Sequence, residues 1–147
     1  MTRRVLLVLL ASLAFTAGCD KQRPGFQPDP PATPPQVQLR VVQQTDTELR
    51  VAVVASGLTD LYGVAYRLSY DPAVLRFEEQ TPGAWWPAAP DTLVHRASVP
   101  ATAPGLVVAA LSRRGSVPGE DTGDERILAE LRFTRLRPSA TTPLHFI

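Results

Sequence analysis

The thiol of Cys19 is the side chain best placed for chemistry, because it is the only cysteine in the chain. Ahead of it come Arg3 and Arg4, an apolar stretch over residues 5–15, and the small residues 16–18. A charged start, a short apolar run and a small-residue zone are the layout of a secretory signal peptide. The apolar run of about 11 residues is too short to cross a bilayer as a helix. We therefore predict that residues 1–18 are a signal peptide and that Cys19 follows its cleavage point.

The residues around this cleavage point, Phe15-Thr16-Ala17-Gly18-Cys19, resemble a lipobox, the sorting signal of bacterial lipoproteins. The resemblance implies a diacylglycerol thioether on Cys19, cleavage before it, and fatty acylation (palmitate, for example) of the new N-terminus. The alternative is an ordinary signal peptide with a cysteine here by chance, and a lone cysteine directly after Ala-Gly favours the lipoprotein. This interpretation implies a bacterial cell-envelope location, with the lipid anchor in the inner or the outer membrane.

The chain contains only two histidines, His95 and His145. A Ser-His-acid triad or a histidine metal site would need one of them with partners in a supporting motif. Neither histidine has such a motif. His95 is most simply a surface residue on a strand, and alternation points His145 outward. We therefore expect no catalytic residue, no metal site and no cofactor, and we predict that the protein is not an enzyme.

Trp85 and Trp86 are the strongest binding candidates in the predicted folded part. An indole can stack on a sugar ring, because its flat apolar face matches the C–H face of a pyranose. Neighbouring residues of a strand point to opposite faces, so at most one of the two indoles is easily buried. Packing in the core or at a sheet edge is the favoured interpretation, and ligand binding by the other indole is the alternative.

The acidic segment over residues 119–125 could bind Ca²⁺ through clustered carboxylates. Its spacing does not match an EF-hand loop, so a solvated turn is the favoured interpretation. The overall charge is near neutral, with 15 basic and 14 acidic side chains and no basic stripe. Nucleic acid is therefore not an expected partner.

Residues 19–35 combine Cys19 with a segment that carries six prolines between positions 20 and 35. Proline is incompatible with the interior of a helix or of a central strand. We predict an extended tether with a reach of up to ~50 Å, at about 3 Å per residue. Such a tether would hold a folded domain away from a membrane.

Period-two alternation of apolar and polar residues begins at Gln36, as expected for strands with one buried face. It recurs over residues 48–55, 62–70 and 127–134, and Leu144 and Phe146 are placed to form a last strand. The run from Leu106 to Leu111 is apolar throughout, which predicts a more deeply buried strand. Turn residues separate these segments and no helical periodicity is present, so the sequence predicts an all-β antiparallel sandwich over residues 36–147.

The motif Tyr70-Asp71-Pro72, followed by Leu75, ends one of these strands and resembles the same feature of the cohesin domain. Leu106–Ser112, and Gly123-Asp124 followed by Ile127–Phe133, are similar to the late strands of that family. Physically the motif is a corner, because Asp71 can accept backbone N–H groups after Pro72 in an Asx-type turn. A structural role for Asp71 is favoured over a ligand role.

The cohesin resemblance covers residues 36–147 and implies a jelly-roll sandwich of about nine strands. It also implies a non-catalytic module that binds a protein partner, possibly one bearing a dockerin, through one sheet face. No dockerin-contacting residue is carried over. The related superfamily contains cellulose-binding modules, so polysaccharide binding, with an indirect link to polysaccharide catabolism, is the alternative function.

Overall fold

Alternating apolar residues form strands throughout the part of the chain that the structure describes. The computed structural model describes residues 34–86 and 93–147. The predicted signal peptide, Cys19 and all of the tether up to residue 33 lie outside these residues. The strands are β1 (Gln36–Gln44), β2 (Glu48–Ser56), β3 (Gly63–Ser69), β4 (Leu75–Pro82), β5 (Leu93–Ser98), β6 (Leu106–Arg113), β7 (Arg126–Arg135) and β8 (His145–Phe146).

The eight strands form two four-stranded sheets in which every pairing is antiparallel. One sheet has the order β1-β2-β7-β4 and the other has the order β5-β6-β3-β8. Their inner faces share one apolar core, so the predicted all-β antiparallel sandwich is confirmed. The described residues contain eight strands where about nine were expected. Among these residues there is no helix of the length and apolarity needed to span a membrane.

The core is built where both sheets contribute large side chains that are fully buried. Phe133 of β7 lies at its centre, with ring centroids 5.4 Å from Tyr70 and 5.6 Å from Phe77 in edge-to-face geometry. Such aromatic pairs add about 0.5–1.5 kcal/mol beyond the burial of their area. Across the sandwich, the Tyr66 hydroxyl donates to Gln80 Oε1 at 2.8 Å, and burial raises the pKa of Tyr66. A polar link therefore joins β3 to β4 across the sandwich.

The burial of β6 differs from the prediction made from its apolar run. Val107, Ala109 and Leu111 are buried, but Val108 and Ala110 are exposed on the outer face of their sheet. The prediction of a more deeply buried strand was therefore wrong for β6, which is buried on one face only. The run is apolar on both faces, yet only one face meets the core, because no described element packs against the other.

The strand that is buried on both faces is instead β2. Except for Arg50, every residue from Leu49 to Ser56 is buried. This strand lies between β1 and β7, and its outward Ala52 is flanked in the register by Arg40 and Glu130. The small Ala52 side chain is shielded from solvent by the two long polar side chains beside it, so it is buried although no layer packs above it.

Candidate functional site

The outer face of the β5-β6-β3-β8 sheet is a surface on which small and apolar side chains predominate. Burial of the alternate residues Leu68, Val107 and Leu111 fixes which side chains point outward. We call this surface the apolar face. It consists of Val94, Arg96 and Ser98 of β5; Leu106, Val108, Ala110 and Ser112 of β6; Gly63, Ala65, Arg67 and Ser69 of β3; His145 of β8; and Ile147.

The strand register arranges the apolar face in rows across the sheet. One row runs from Arg96 through Ala110 to Ala65, and the next from Ser98 through Val108 to Arg67. The alanines make the centre of the face flat, because they project little above the backbone. The Ile147 N–H donates to the Arg67 carbonyl at 3.2 Å, and the Ile147 side chain, 66% exposed, borders a shallow depression beside Val108.

The charged side chains of the apolar face have one sign. They are Arg67 and Arg96, and no Asp or Glu lies among its residues. Neither arginine forms an ion pair with any of the described residues. Two guanidinium groups on a flat surface without acidic side chains are suited to meeting acidic groups of a partner.

The outer face of the β1-β2-β7-β4 sheet has a contrasting chemistry, because most of its charges are paired. Arg132 Nε lies 2.9 Å from Glu79 Oε1 across β7 and β4. On β2, Arg50 Nε lies 2.7 Å from Glu48 Oε1. A partner that docked here would have to replace these interactions with new ones of equal strength.

Glu78, on β4, is held by two donors. The Thr134 hydroxyl donates to Glu78 Oε1 at 2.6 Å, and Arg76 Nε lies 2.8 Å from the same oxygen. The Thr134 hydrogen bond, followed by the Arg76 interaction, lowers the pKa of Glu78 below its ordinary value. Hydrogen bonds to the charged form of a carboxyl group have this effect.

The two tryptophans lie in a turn after β4, away from the centre of the apolar face. Trp86 is 4% exposed, and its Nε1–H donates to the Leu128 carbonyl at 2.7 Å. Trp85 is half-buried with its ring centroid 4.9 Å from that of Trp86. The Trp86 indole thus packs in the core, and in this conformation the hypothesis of sugar stacking would have to rest on Trp85.

The histidines and the acidic segment do not come together as a reactive group. His95 on β5 and His145 on β8 are both exposed and lie on the two edge strands of one sheet. In the acidic segment, Glu120 pairs with Arg113 at 2.7 Å and Glu125 pairs with Arg40 at 2.6 Å. Within residues 34–86 and 93–147 no three His, Cys, Asp or Glu side chains are placed to hold a metal ion.

The Tyr70-Asp71-Pro72 corner connects β3 to β4. The Ala73 N–H donates to Asp71 Oδ1 at 2.8 Å, which is the hydrogen bond of an Asx-type turn. Tyr70 and Leu75 on either side of the corner are buried in the core. In these positions the motif joins the two sheets, because β3 belongs to one sheet and β4 to the other.

No protein-family model and no curated protein matches this sequence, but several solved structures share its architecture. A chain in a type II cohesin–X–dockerin complex from Acetivibrio cellulolyticus matches with a TM-score of 0.61 at 15% identity, over 76% of this chain and 77% of that chain. The chain has the cohesin fold. The sixth cohesin of scaffoldin B from the same organism, solved in complex with a dockerin, matches at 0.61 and 15% identity, over 78% and 82% of the two chains. A type I cohesin from Pseudobacteroides cellulosolvens matches at 0.54 and 12% identity, over 71% and 68%.

The cohesin fold that the sequence resemblance implied is therefore confirmed. Sequence reasoning did not locate the apolar face within this fold. The signal in the sequence was the run from Leu106 to Leu111. In this run Val108 and Ala110 occupy positions where an alternating strand would have polar residues. A strand that is apolar on both faces in a two-layer protein indicates either a third layer or an exposed apolar surface. In the described residues β6 has an exposed apolar surface.

Proposed function

We propose that this domain is a non-catalytic binding module that recruits a protein partner through the apolar face. The observation that carries the proposal is the difference between the two outer surfaces of the sandwich. One is flat and apolar and carries two unpaired arginines, while most charges of the other are paired within the chain. Exposed apolar patches mark interaction sites, and arginine is enriched at protein interfaces.

The partner we propose is a dockerin-type protein with carboxylates opposite Arg67 and Arg96. Cohesin-fold structures similar to this domain include complexes with dockerins, which supports a protein rather than a glycan as the ligand. The buried Trp86 removes one of the two indoles on which polysaccharide binding would depend. Glycan binding is therefore kept as an outcome of the experiment.

The test compares the unaltered chain with Val108→Glu, which places a carboxylate at the centre of the apolar face and beside Arg67. The matched control is Val41→Glu, since Val41 is an exposed valine (57%) on the other sheet. Binding to a panel of purified dockerin modules is measured by surface plasmon resonance, with a glycan array in parallel. We expect Val108→Glu to weaken dockerin binding at least about tenfold, or 1.4 kcal/mol, and Val41→Glu to leave it unchanged.

Three outcomes would contradict the proposal. They are equal binding by both variants, no dockerin binding by the unaltered chain, and glycan retention that depends on Trp85. A further expected result is a fall in the association rate as salt is raised, because the arginines attract an acidic partner over a distance of about 10 Å at 0.1 M salt.

We also propose that the domain is displayed in the bacterial cell envelope by a lipid on Cys19 and by the tether of residues 19–35. The support is the sequence alone: the lipobox-like ending and the six prolines that follow. Cys19→Ser should move the chain from the membrane fraction to the soluble fraction and abolish labelling with an alkyne fatty acid. Retention of both labelling and membrane association in the variant would refute the anchor.

A further inference from the structure

A small cavity lies at the end of the sandwich where β1 ends and β2 begins. Its volume is about 120 Å³, and it opens to solvent. Leu49 of β2, together with Val74 and Leu75 at the start of β4, forms its floor, and all three residues are buried in the core. Val41, which is exposed, lies at its rim. The cavity is therefore an apolar hollow that the core does not fill.

The connection between β7 and β8, residues 136–144, forms the other side of the cavity. The Leu136 N–H donates to the Val74 carbonyl at 2.8 Å, which holds the beginning of this connection against the start of β4. Farther along, Ala140 and Leu144 pack against the core and line the cavity. A longer side chain at the position of Ala140 would take up part of this space. The cavity therefore depends on a small residue in the connection.

Arg135, the last residue of β7, brings a positive charge to the cavity. Its Nη1 donates to the Thr45 carbonyl at 2.6 Å, and its Nη2 donates to the carbonyls of Pro138 and Ala140. These acceptors are neutral, and no Asp or Glu of the described residues forms an ion pair with Arg135. A guanidinium group has more N–H donors than these bonds use, so Arg135 can donate further hydrogen bonds.

The charge of Arg135 is not compensated within the cavity, because no acidic side chain is among the described residues that line it. The other polar residues of the lining, Gln44, Thr141 and Thr142, are neutral. A charge beside apolar groups is stabilised by a group of opposite charge, and hydrogen bonds from a guanidinium group to a carboxylate are among the strongest in proteins. The arrangement therefore suits a molecule with a carboxylate at one end and an apolar tail at the other.

The volume of the cavity limits the length of this tail. An apolar cavity of about 150 Å³ in another protein binds benzene, so one of about 120 Å³ has room for about four or five carbon atoms. The side chains of its floor, Leu49, Val74 and Leu75, are branched and aliphatic, and no aromatic residue is among the described residues that line it. A short branched aliphatic chain therefore matches the cavity in both size and character.

We propose that this cavity binds a small aliphatic carboxylate such as isovalerate, with its tail against Leu49 and Val74 and its carboxylate accepting hydrogen bonds from Arg135. The site is separate from the apolar face, since no residue of the lining belongs to that face. A free carboxylic acid and the C-terminal leucine of a peptide offer the same chemistry, an isobutyl group and a carboxylate. The test therefore includes both sources.

The first test titrates the full chain carrying Cys19→Ser, so that no lipid can be attached there, with isovalerate, 3-methylbutan-1-ol and acetate. The NMR methyl signals of Val41, Leu49, Val74 and Leu144 report binding. We expect saturable shifts with isovalerate at a Kd of about 1 mM. The alcohol lacks the charge and acetate lacks the tail, so both should bind at least about tenfold more weakly. N-acetyl-glycyl-leucine is titrated in parallel, and tighter binding than that of isovalerate would identify a chain terminus as the source of the carboxylate.

The second test separates the charge from the cavity. Arg135→Gln should weaken isovalerate binding at least about tenfold, while Arg126→Gln, at an exposed arginine of the same strand outside the cavity, should leave it unchanged. If loss of the Arg135 hydrogen bonds unfolds the chain, Ala140→Leu keeps the arginine, fills the cavity and should abolish the methyl shifts. Three results would overturn the proposal: no saturable shift with either isovalerate or N-acetyl-glycyl-leucine, equal affinity for isovalerate and 3-methylbutan-1-ol, and unchanged binding by Ala140→Leu.

Discussion

Gly105 is the residue at which the β3–β4 corner meets the turn before β6. The Tyr70 N–H donates to the Gly105 carbonyl at 2.8 Å, and Gly105 has a φ of 91°. A Cβ at this position would lie 2.6 Å from the Tyr70 carbonyl oxygen and 2.9 Å from Pro72 Cδ. The Tyr-Asp-Pro corner therefore depends on a glycine that lies 33 residues later in the sequence than Pro72.

Gly105→Ala should lower the free energy of unfolding by about 2–4 kcal/mol, because an unfavourable φ and a steric overlap act together. Gly115→Ala is the matched control, since Gly115 also has a positive φ (80°) but its Cβ would meet nothing within 4 Å. The control should cost only about 1 kcal/mol. Urea unfolding of both variants measures the two changes in the free energy of unfolding. Equal decreases would show that the contact with Pro72 does not contribute to the effect.

Thr122 illustrates a polar residue whose role depends on a distant partner. It is fully buried, and its hydroxyl accepts from the Leu58 N–H at 2.9 Å and donates to the Leu58 carbonyl at 3.2 Å. The acidic segment that the sequence singled out is thus held to Leu58 by the hydrogen bonds of a threonine. Nothing in the local sequence identifies Leu58, which lies 64 positions earlier, as the partner.

At the scale of the strands, β4 and β7 are joined by polar groups on their outer face as well as by the core. Glu78 accepts from Thr134 and lies beside Arg76, which lowers its pKa. A carboxyl group whose pKa is lowered by folding stabilises the protein at pH values above its pKa in the unfolded chain. That contribution is lost as the pH falls from the ordinary value of 4.5 through the lower folded value.

Thr134→Val should raise the pKa of Glu78 toward 4.5, because it removes the hydrogen bond that contributes most to the shift. It should also reduce the loss of stability on acidification below pH 4.5. An NMR titration of the Glu78 carboxyl group and urea unfolding at several pH values measure the two effects. Arg76→Gln, which removes the weaker donor, should give a smaller change in the same direction, and a larger one would reverse the assignment.

The whole molecule displays two separate surfaces on two different sheets. The apolar face belongs to β5-β6-β3-β8, and the surface with ion pairs belongs to β1-β2-β7-β4. No residue is shared between them.

The double variant Val41→Glu/Val108→Glu tests whether the two surfaces act independently. Because the valines lie on different sheets without a common neighbour in the register, their effects should add. We expect the double variant to lose dockerin binding as Val108→Glu does, with a stability equal to the sum of the single changes. A loss of dockerin binding in Val41→Glu alone would show that binding does not depend on the apolar face alone.

Several strands could be predicted from local pattern because their alternation reflects one buried face. This holds for β1, β2, β3 and β7, and for the short β8 around Phe146. The strand β4 has no such pattern, since its sequence is mainly polar and a bulge between Phe77 and Glu79 shifts the register. The strand β5 was anticipated only as the strand that carries His95.

The sequence by itself determined the fold class, the cohesin resemblance and the expectation of an anchor at Cys19, because these depend on residue order and period alone. Only the tertiary structure decided which apolar residues form the core and which form a surface. Val108 and Val53 are the same residue type in similar strands, yet one is 37% exposed and the other fully buried. The difference comes from the layers above and beside each strand, and these are brought together by pairings between residues far apart in the chain.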